Sequence, residues 1–438
     1  MSTKLTEPTK PEKERAFLVG VDVHSQPGLI SMQDSLEELE RLADTAGLDV
    51  VGELTQKIDR PSSDTYIGSG KVEELRAFTE ETLADVIIFD IDLSPRHQRE
   101  LEKIFGLEVR ILDRTALILD IFAQHASTRE GYLQVELAQL EYRLPRLTRA
   151  WTHLARQAGG GGGRAGSVGG VGLRGPGETQ LEVDRREIGH RIHKLKEEIE
   201  KIRDHRNQYR QQRKRARTPI VALVGYTNAG KSTLLNTLAK TDIYVADQLF
   251  ATLDPTTRRV PLSDGQIILL TDTVGFIQKL PTQLIAAFRA TLEEISEADL
   301  LLHVIDGTHP VALQQAQAVK QTLEAIGAGK IPTIEVLNKV DQLDKDEIAR
   351  LTREVFPGAI PISGLRGQGI DKLLLTVEHD LFQSLLPVHL HLPYTEGQLI
   401  SLFHENGVIE AIKYNAKTVD IRGKIPGRMY ARYQPFEV

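Results

Sequence analysis

Apolar residues in the first part of the chain fall into short runs separated by stretches with a helical stripe. AFLVGVDV (16–23), LDVVGELTQ (48–56), ADVIIFDI (84–91) and LEVRIL (107–112) have the length and β-branched content of strands. Between them, SLEELERLADTAG (ending at Gly47), KVEELRAFTEE and SPRHQRELEKIFG read as helices. In the last of these Ser94 is placed to cap the helix, and Pro95 sits at the first helical position, where a missing N–H costs nothing. Strand alternating with helix predicts an α/β sheet from Ala16 to about His125. Residues 1 to about 15 carry no such pattern and read as disordered.

The period then changes. Leu133, Leu137, Leu140, Leu144, Leu147, Trp151 and Leu154 step by four and three in turn, and so do Ile188, Ile192, Leu195, Ile199 and Ile202. These are heptad seams. Two short seams joined by a loop predict an antiparallel helical hairpin whose first helix is long and kinked at Pro145. The joining loop, Gly159 to Gly177, holds 11 glycines in 19 residues, with Arg164 and Arg174 its only charges. Ordering such a chain has a high entropic cost. A tip that is mobile alone and orders against a phosphate-rich surface is therefore expected.

Strands and helices alternate again from residue 218, with Pro219 at the boundary, to about 384. After Leu386, VHLHL, TEGQLISLFHENG, VIEAIKYN and TVDIRG form a small β-α-β-β unit. The expected domains are 1–125 (α/β), 126–217 (coiled-coil hairpin), 218–384 (nucleotide-binding α/β) and 385–438 (small α+β).

Composition narrows the setting. The 438 residues include no cysteine, which excludes disulfides and thiolate zinc sites. No apolar run approaches the roughly 18 residues of a membrane helix, and the polar MSTKLTEPTKPEKER is no secretory leader. A cytoplasmic monomer is expected. The net charge of −7 is unevenly spread: Arg143 to Arg217 carries 19 Lys and Arg against 8 Asp and Glu. A basic block on an acidic body points to a polyanion such as nucleic acid.

The chemistry lies in the third domain. PIVALVG is an apolar strand that runs into Gly225-Tyr226-Thr227-Asn228-Ala229-Gly230-Lys231-Ser232 and then a helix. Glycines let backbone N–H groups close on a phosphate, and the helix dipole adds to them. Lys231 should reach the β- and γ-phosphates, and the Ser232 hydroxyl should ligate Mg²⁺. QIILLTDTVGF places Asp272, 41 residues beyond Lys231, at the end of a strand, where it can hold Mg²⁺ directly or through water. Thr273 and Val274 follow, and the Gly275 N–H can meet the γ-phosphate.

IPTIEVLNKVD supplies Asn338, Lys339, Val340 and Asp341 after another strand. The Asp341 carboxylate can accept from the N1–H and 2-amino groups of guanine, and adenine offers neither donor. The loop Ser363-Gly364-Leu365 can contact the guanine oxygen through its backbone. Between Lys231 and Asp272 lies Phe250-Ala251-Thr252-Leu253-Asp254, followed by Pro255, Thr256 and Thr257. A threonine here should cap Mg²⁺; Thr252, Thr256 and Thr257 compete for the role. Gly68-Ser69-Gly70-Lys71 lacks the full phosphate-loop spacing and a preceding apolar strand. His190 and His193 have no third ligand, so both read as solvated histidines.

The combination of GYTNAGKST, FATLD, DTVGF and NKVD with the upstream run GGGGGRAGSVGGVGLRGPGETQLEVDRR resembles the HflX family of translation-factor-class GTPases over nearly the whole chain. The resemblance implies an α/β domain with a helical hairpin, a Ras-like P-loop GTPase domain and a small C-terminal domain. It implies Mg²⁺ as cofactor, GTP and GDP as ligands, and the FATLD threonine, Thr252, as a metal ligand. It also implies binding to the large ribosomal subunit, with the hairpin loop near the peptidyl-transferase region, and GTP-dependent splitting of stalled ribosomes. Many GTPases place a water-orienting glutamine after DxxG; Phe276 stands there, so hydrolysis should be slow unless a partner, or a neighbour such as Gln278, completes the site. The rival reading is a GTP-sensing regulator that binds a protein or messenger RNA through the coiled coil.

Overall fold

The two central strands of the first sheet, Arg15–Val23 and Val86–Phe89, are buried on both faces, which is why they read as continuous apolar runs. Phe17, Val19 and Val21 of β1 (Arg15–Val23) join Leu75, Phe89 and Leu101 in one core. Gly20 faces the other way, where a Cβ would come within 2.7 Å of Leu36. The computed structural model describes residues 13–24, 29–106, 108–147, 180–215, 218–240, 249–250, 255–262, 266–278, 294–383 and 385–438. By compactness the chain divides into two units, residues 1–124 with 132–200, and residues 125–131 with 201–438. The fold is α/β and multidomain.

In the first unit β1, β2 (Asp49–Ile58), β3 (Val86–Phe89) and β4 (Arg110–Asp113) form a parallel sheet in the order β2-β1-β3-β4. The three predicted helices are present as α1 (Met32–Thr45), α2 (Ser69–Thr82) and α3 (Pro95–Phe105). The Ser94 hydroxyl caps α3 by accepting from the His97 N–H at 3.2 Å. The helix α4 (Arg114–His125) has no counterpart in the sequence reading. Its buried residues cover somewhat more than half of its circumference and include Arg114 and Thr115, so the apolar stripe is indistinct in the sequence. Arg114 is fully buried in it, pairing with Asp90 at 2.7 Å and with Glu38.

The first seam runs through α5 (Arg129–Arg143), with Leu133 and Leu137 buried. The expected kink at Pro145 is instead a stop: Leu144–Arg146 is a 3₁₀ turn and Leu147 is extended. Proline has no N–H to give the carbonyl one turn back. Arg146 then fixes the turn by donating to the Leu93 carbonyl at 2.6 Å and to Gln98 Oε1 at 3.0 Å. Trp151, Leu154 and the loop from Gly159 to Gly177 lie outside the described residues. The second seam lies on α6 (Gln180–Arg215), where Leu195 is fully buried and Ile188, Ile192, Ile199 and Ile202 are half-buried. Arg191 pairs with Glu136 through two bonds of 2.8 Å, and Lys196 with Glu141 at 2.8 Å. The two pairs advance in step, so over residues 136–141 and 191–196 α5 and α6 run parallel, not antiparallel as expected of the two seams.

The second unit holds a six-stranded sheet in the order β10-β9-β8-β5-β7-β6, parallel except for β6. Its strands are β5 (Ile220–Gly225), β6 (Thr256–Pro261), β7 (Ile267–Asp272), β8 (Leu300–Asp306), β9 (Thr333–Asn338) and β10 (Ile360–Pro361). The C-terminal strands β11 (Leu385–Pro393), β12 (Val408–Tyr414) and β13 (Thr418–Pro426) form an antiparallel sheet in the order β11-β13-β12. Leu390, Ile421 and Tyr433 pack there with Phe403 of the helix Gly397–Asn406, as the β-α-β-β reading expects.

His303 is buried on β8, and burial, with Lys320 and Lys231 nearby, pulls its pKa down to about 3. Between pH 6.5 and about 3 the unfolded chain binds a proton here and the folded chain does not, so stability falls as pH falls through this window. The fall is at most about 1.4 kcal/mol per pH unit. His303→Gln should flatten the slope of urea-unfolding stability between pH 7 and pH 5; an unchanged slope would show that His303 titrates alike in both states.

Candidate nucleotide site

The phosphate loop is shaped by positions that exclude a side chain. A Cβ on Gly225 would lie 2.3 Å from the Val304 carbonyl oxygen of β8. One on Gly230, at φ +91°, would lie 2.3 Å from Asn338 Nδ2. Asn228 also has a left-handed backbone, at φ +59°. The chain therefore loops tightly and enters α7 (Lys231–Ala239), whose first amides face the hollow of the loop. The Lys231 ammonium is folded into that hollow, donating to the Gly225 carbonyl at 3.1 Å and the Tyr226 carbonyl at 2.8 Å. Burial lowers its pKa to about 8, against the opposing pull of Asp272. The Ser232 hydroxyl donates to Asp272 Oδ2 at 2.6 Å. A hydroxyl beside a carboxylate is a hard-oxygen donor set that fits Mg²⁺.

Asp272 is the last residue of β7, and the Thr273 hydroxyl anchors the turn by donating to the Leu223 carbonyl at 2.6 Å. The following residues continue alongside the phosphate loop. The Phe276 N–H donates to the Gly225 carbonyl at 3.1 Å, and the Thr227 N–H to the Phe276 carbonyl at 2.8 Å. Tyr226 adds its hydroxyl, which accepts from the Gln278 N–H at 2.8 Å. Gly275 is wedged between: a Cβ there would be 2.9 Å from Thr227 Cα and 3.0 Å from Lys231 Nζ. Val274 and Phe276 are buried, so the Phe276 ring is packed away from water.

On the base side, Asn338 ends β9 and reaches in two directions. Its Nδ2 donates to the Ala229 carbonyl at 2.8 Å, and its Oδ1 accepts from the Gly364 N–H at 2.9 Å. Lys339 takes a left-handed backbone, at φ +64°, and pairs with Asp306 at 2.7 Å. The buried Val340 donates its N–H to the Ile362 carbonyl at 3.2 Å. The Asp341 side chain is only 6% exposed, with Oδ2 3.5 Å from Arg366 Nε. Ser363 is fully buried, and its hydroxyl accepts from the Arg366 N–H at 3.0 Å. Thr237 donates to the Gly364 carbonyl at 2.5 Å, while Leu365 stands exposed at the rim.

The four stretches 225–232, 272–275, 338–341 and 363–365 thus meet at the carboxyl ends of parallel strands, where open α/β sheets bind ligands. Thr252, with Ala251, Leu253 and Asp254, lies outside the described residues; Phe250 is buried with a left-handed backbone, at φ +57°. The competing threonines belong to β6, Thr256 in register with Asp272 and Thr257 bonded to Thr271 at 3.0 Å. The sequence reading does not name Asp306, Thr237 or Arg366. Asp306 ends an apolar strand just as Asp272 does, which is a usable signal; the other two have none.

Asp341→Asn should weaken GDP binding and favour xanthosine diphosphate. Xanthine has a carbonyl where guanine has its amino group, and an amide can donate to it. Calorimetric titration with both nucleotides checks this, and an unchanged preference for GDP would remove Asp341 from base reading.

Three family models match successive stretches of the chain. They are described as GTP-binding GTPase N-terminal (residues 33–123), GTP-binding GTPase Middle Region (125–213) and 50S ribosome-binding GTPase (220–339). The chain is 44% identical over 429 residues to GTPase HflX of Caldanaerobacter subterraneus, covering 97% of this chain and 94% of that one. It is 45% identical over 379 residues to GTPase HflX of Escherichia coli K12, covering 86% of each. A GTP-binding protein from Sulfolobus solfataricus, solved with GDP, is 25% identical with a TM-score of 0.41, over 84% of this chain and 98% of that one. The chain belongs to the HflX family and is a GTP-hydrolysing enzyme.

Proposed function

We propose that the protein binds the large ribosomal subunit in its GTP state and splits stalled ribosomes into subunits in the cytoplasm. The observation that carries this reading is the joining of a nucleotide site to a strongly basic middle region, 19 Lys and Arg against 8 Asp and Glu between Arg143 and Arg217. Such a block neutralises phosphates and releases their counterions. The family description of a 50S ribosome-binding GTPase over residues 220–339 supports the same partner. The working domains are 1–125, 126–217, 218–384 and 385–438.

In this reading Lys231 and the backbone of Gly225 to Ser232 hold the phosphates. Ser232, Asp272 and Thr252 hold Mg²⁺, which when bound offsets charge on the β- and γ-phosphates. Asn338 to Asp341 with Ser363 to Leu365 hold the base, and Phe250 to Asp254 contribute to nucleotide binding. Gly275 is the sensor. It lies so near Lys231 Nζ that a third phosphate on that ammonium displaces it, and the rungs from Phe276 to Gly225 and Thr227 must then rearrange. That links the γ-phosphate to the chain after Phe276. The buried Phe276 ring cannot orient water, so hydrolysis is slow until the ribosome completes the site.

The test is light scattering of intact ribosomes mixed with GTP and protein. Full-length protein should split them, whereas a form with Gly159 to Gly177 replaced by a short neutral linker should split them at least severalfold more slowly and still bind GTP. The heptad seams and the nucleotide motifs lie outside that loop. Each residue ordered on the ribosome costs about 1 kcal/mol or more, which contacts from Arg164 and Arg174 to RNA must offset. Full splitting by the shortened form would reduce the loop to a linker. No splitting by the complete protein would reject the function.

A further inference from the structure

The carboxylate assigned to guanine already has a neighbour. Asp341 is nearly buried, and Arg366 Nε stands 3.5 Å from its Oδ2. The backbone beneath Arg366 is held at three points: the Arg366 N–H on Ser363 Oγ at 3.0 Å, the Gly364 N–H on Asn338 Oδ1 at 2.9 Å, and the Gly364 carbonyl under the Thr237 hydroxyl at 2.5 Å. The side chain itself is 63% exposed. A fixed stem with an exposed guanidinium can swing without disturbing the loop.

Guanine offers two donors, and holding both takes both oxygens of Asp341. One of these faces Arg366. We propose that Arg366 competes with the incoming guanine for Asp341, so that it lowers nucleotide affinity and eases exchange. The inference rests on Asp341 as the base-reading group. A contact of 3.5 Å to one guanidinium nitrogen is longer than a good hydrogen bond, and its exposed partner is well solvated. It is therefore weak enough to yield to guanine. It still stabilises the empty site, because it is the ion pair that offsets the charge of a carboxylate largely removed from water. Any stabilisation of the empty site is subtracted from nucleotide affinity.

Arg366→Gln removes the charge, keeps most of the length of the side chain and leaves the N–H to Ser363 in place. The full-length variant should bind GDP about two- to fivefold more tightly than the parent at low ionic strength, the scale of an exposed ion pair. The gap should narrow as KCl is raised, because salt screens the pair. The same substitution in an Asp341→Asn background, titrated with xanthosine diphosphate, separates this from general attraction of the nucleotide by a positive residue. There it should change nothing. Equal or weaker GDP binding by Arg366→Gln would overturn the proposal, and so would tightening that persists in the double variant, where no carboxylate is left for the arginine to pair with. If Asp341→Asn alone fails to favour xanthine, the base-reading role falls first and takes this inference with it.

Discussion

The two halves of the nucleotide site are joined by one side-chain amide. Asn338 donates to the Ala229 carbonyl in the phosphate loop and accepts from the Gly364 N–H in the loop beside the base. Both contacts are buried, so neither group has water as a substitute partner, and leaving one unpaired costs about 1–3 kcal/mol. Only an amide offers a donor and an acceptor at this spacing. The requirement also explains a glycine far away in sequence: Asn338 Nδ2 occupies the space that a Cβ on Gly230 would fill. The loop expected to hold phosphates and the loop expected to lie beside the base are therefore fixed relative to each other by this one buried amide.

A second coupling runs along the other side of the phosphate loop. The backbone of Phe276 extends the β5–β7 pairing past the strand ends, and Gly275 fills the gap beside Lys231. Small residues are needed where backbones pass this closely. The phosphate loop is thus held by Asn338 on one flank and by the chain after Asp272 on the other. The Phe276 side chain after Gly275 packs into the core, away from water.

Much of this was legible in the sequence because the signals are local. Strand ends carrying Asp272 and Asn338, the glycines of the phosphate loop and the Ser94 cap depend on a few neighbouring residues, and the structure has them as read. What escaped depends on contacts distant in the chain. The buried face of α4 is wide and includes Arg114 and Thr115, so its stripe is indistinct, and the end of α5 at Pro145 is set partly by Arg146 reaching back to Leu93 and Gln98. Arg366 reads as an ordinary exposed arginine until the fold places Asp341 beside it. Of the site residues expected from sequence, Thr252 and its neighbours 251, 253 and 254 lie outside the described residues.

The amide of Asn338 makes one site of two loops. GDP affinity of the Asn338→Ala protein tests it most directly, with circular dichroism as the check on folding. Two buried partners lose their bonds at once, so affinity should fall about a hundredfold or more in a protein that remains folded. A folded variant that binds GDP within about threefold of the parent would contradict the claim, since a threefold change is well below the free energy of even one such bond.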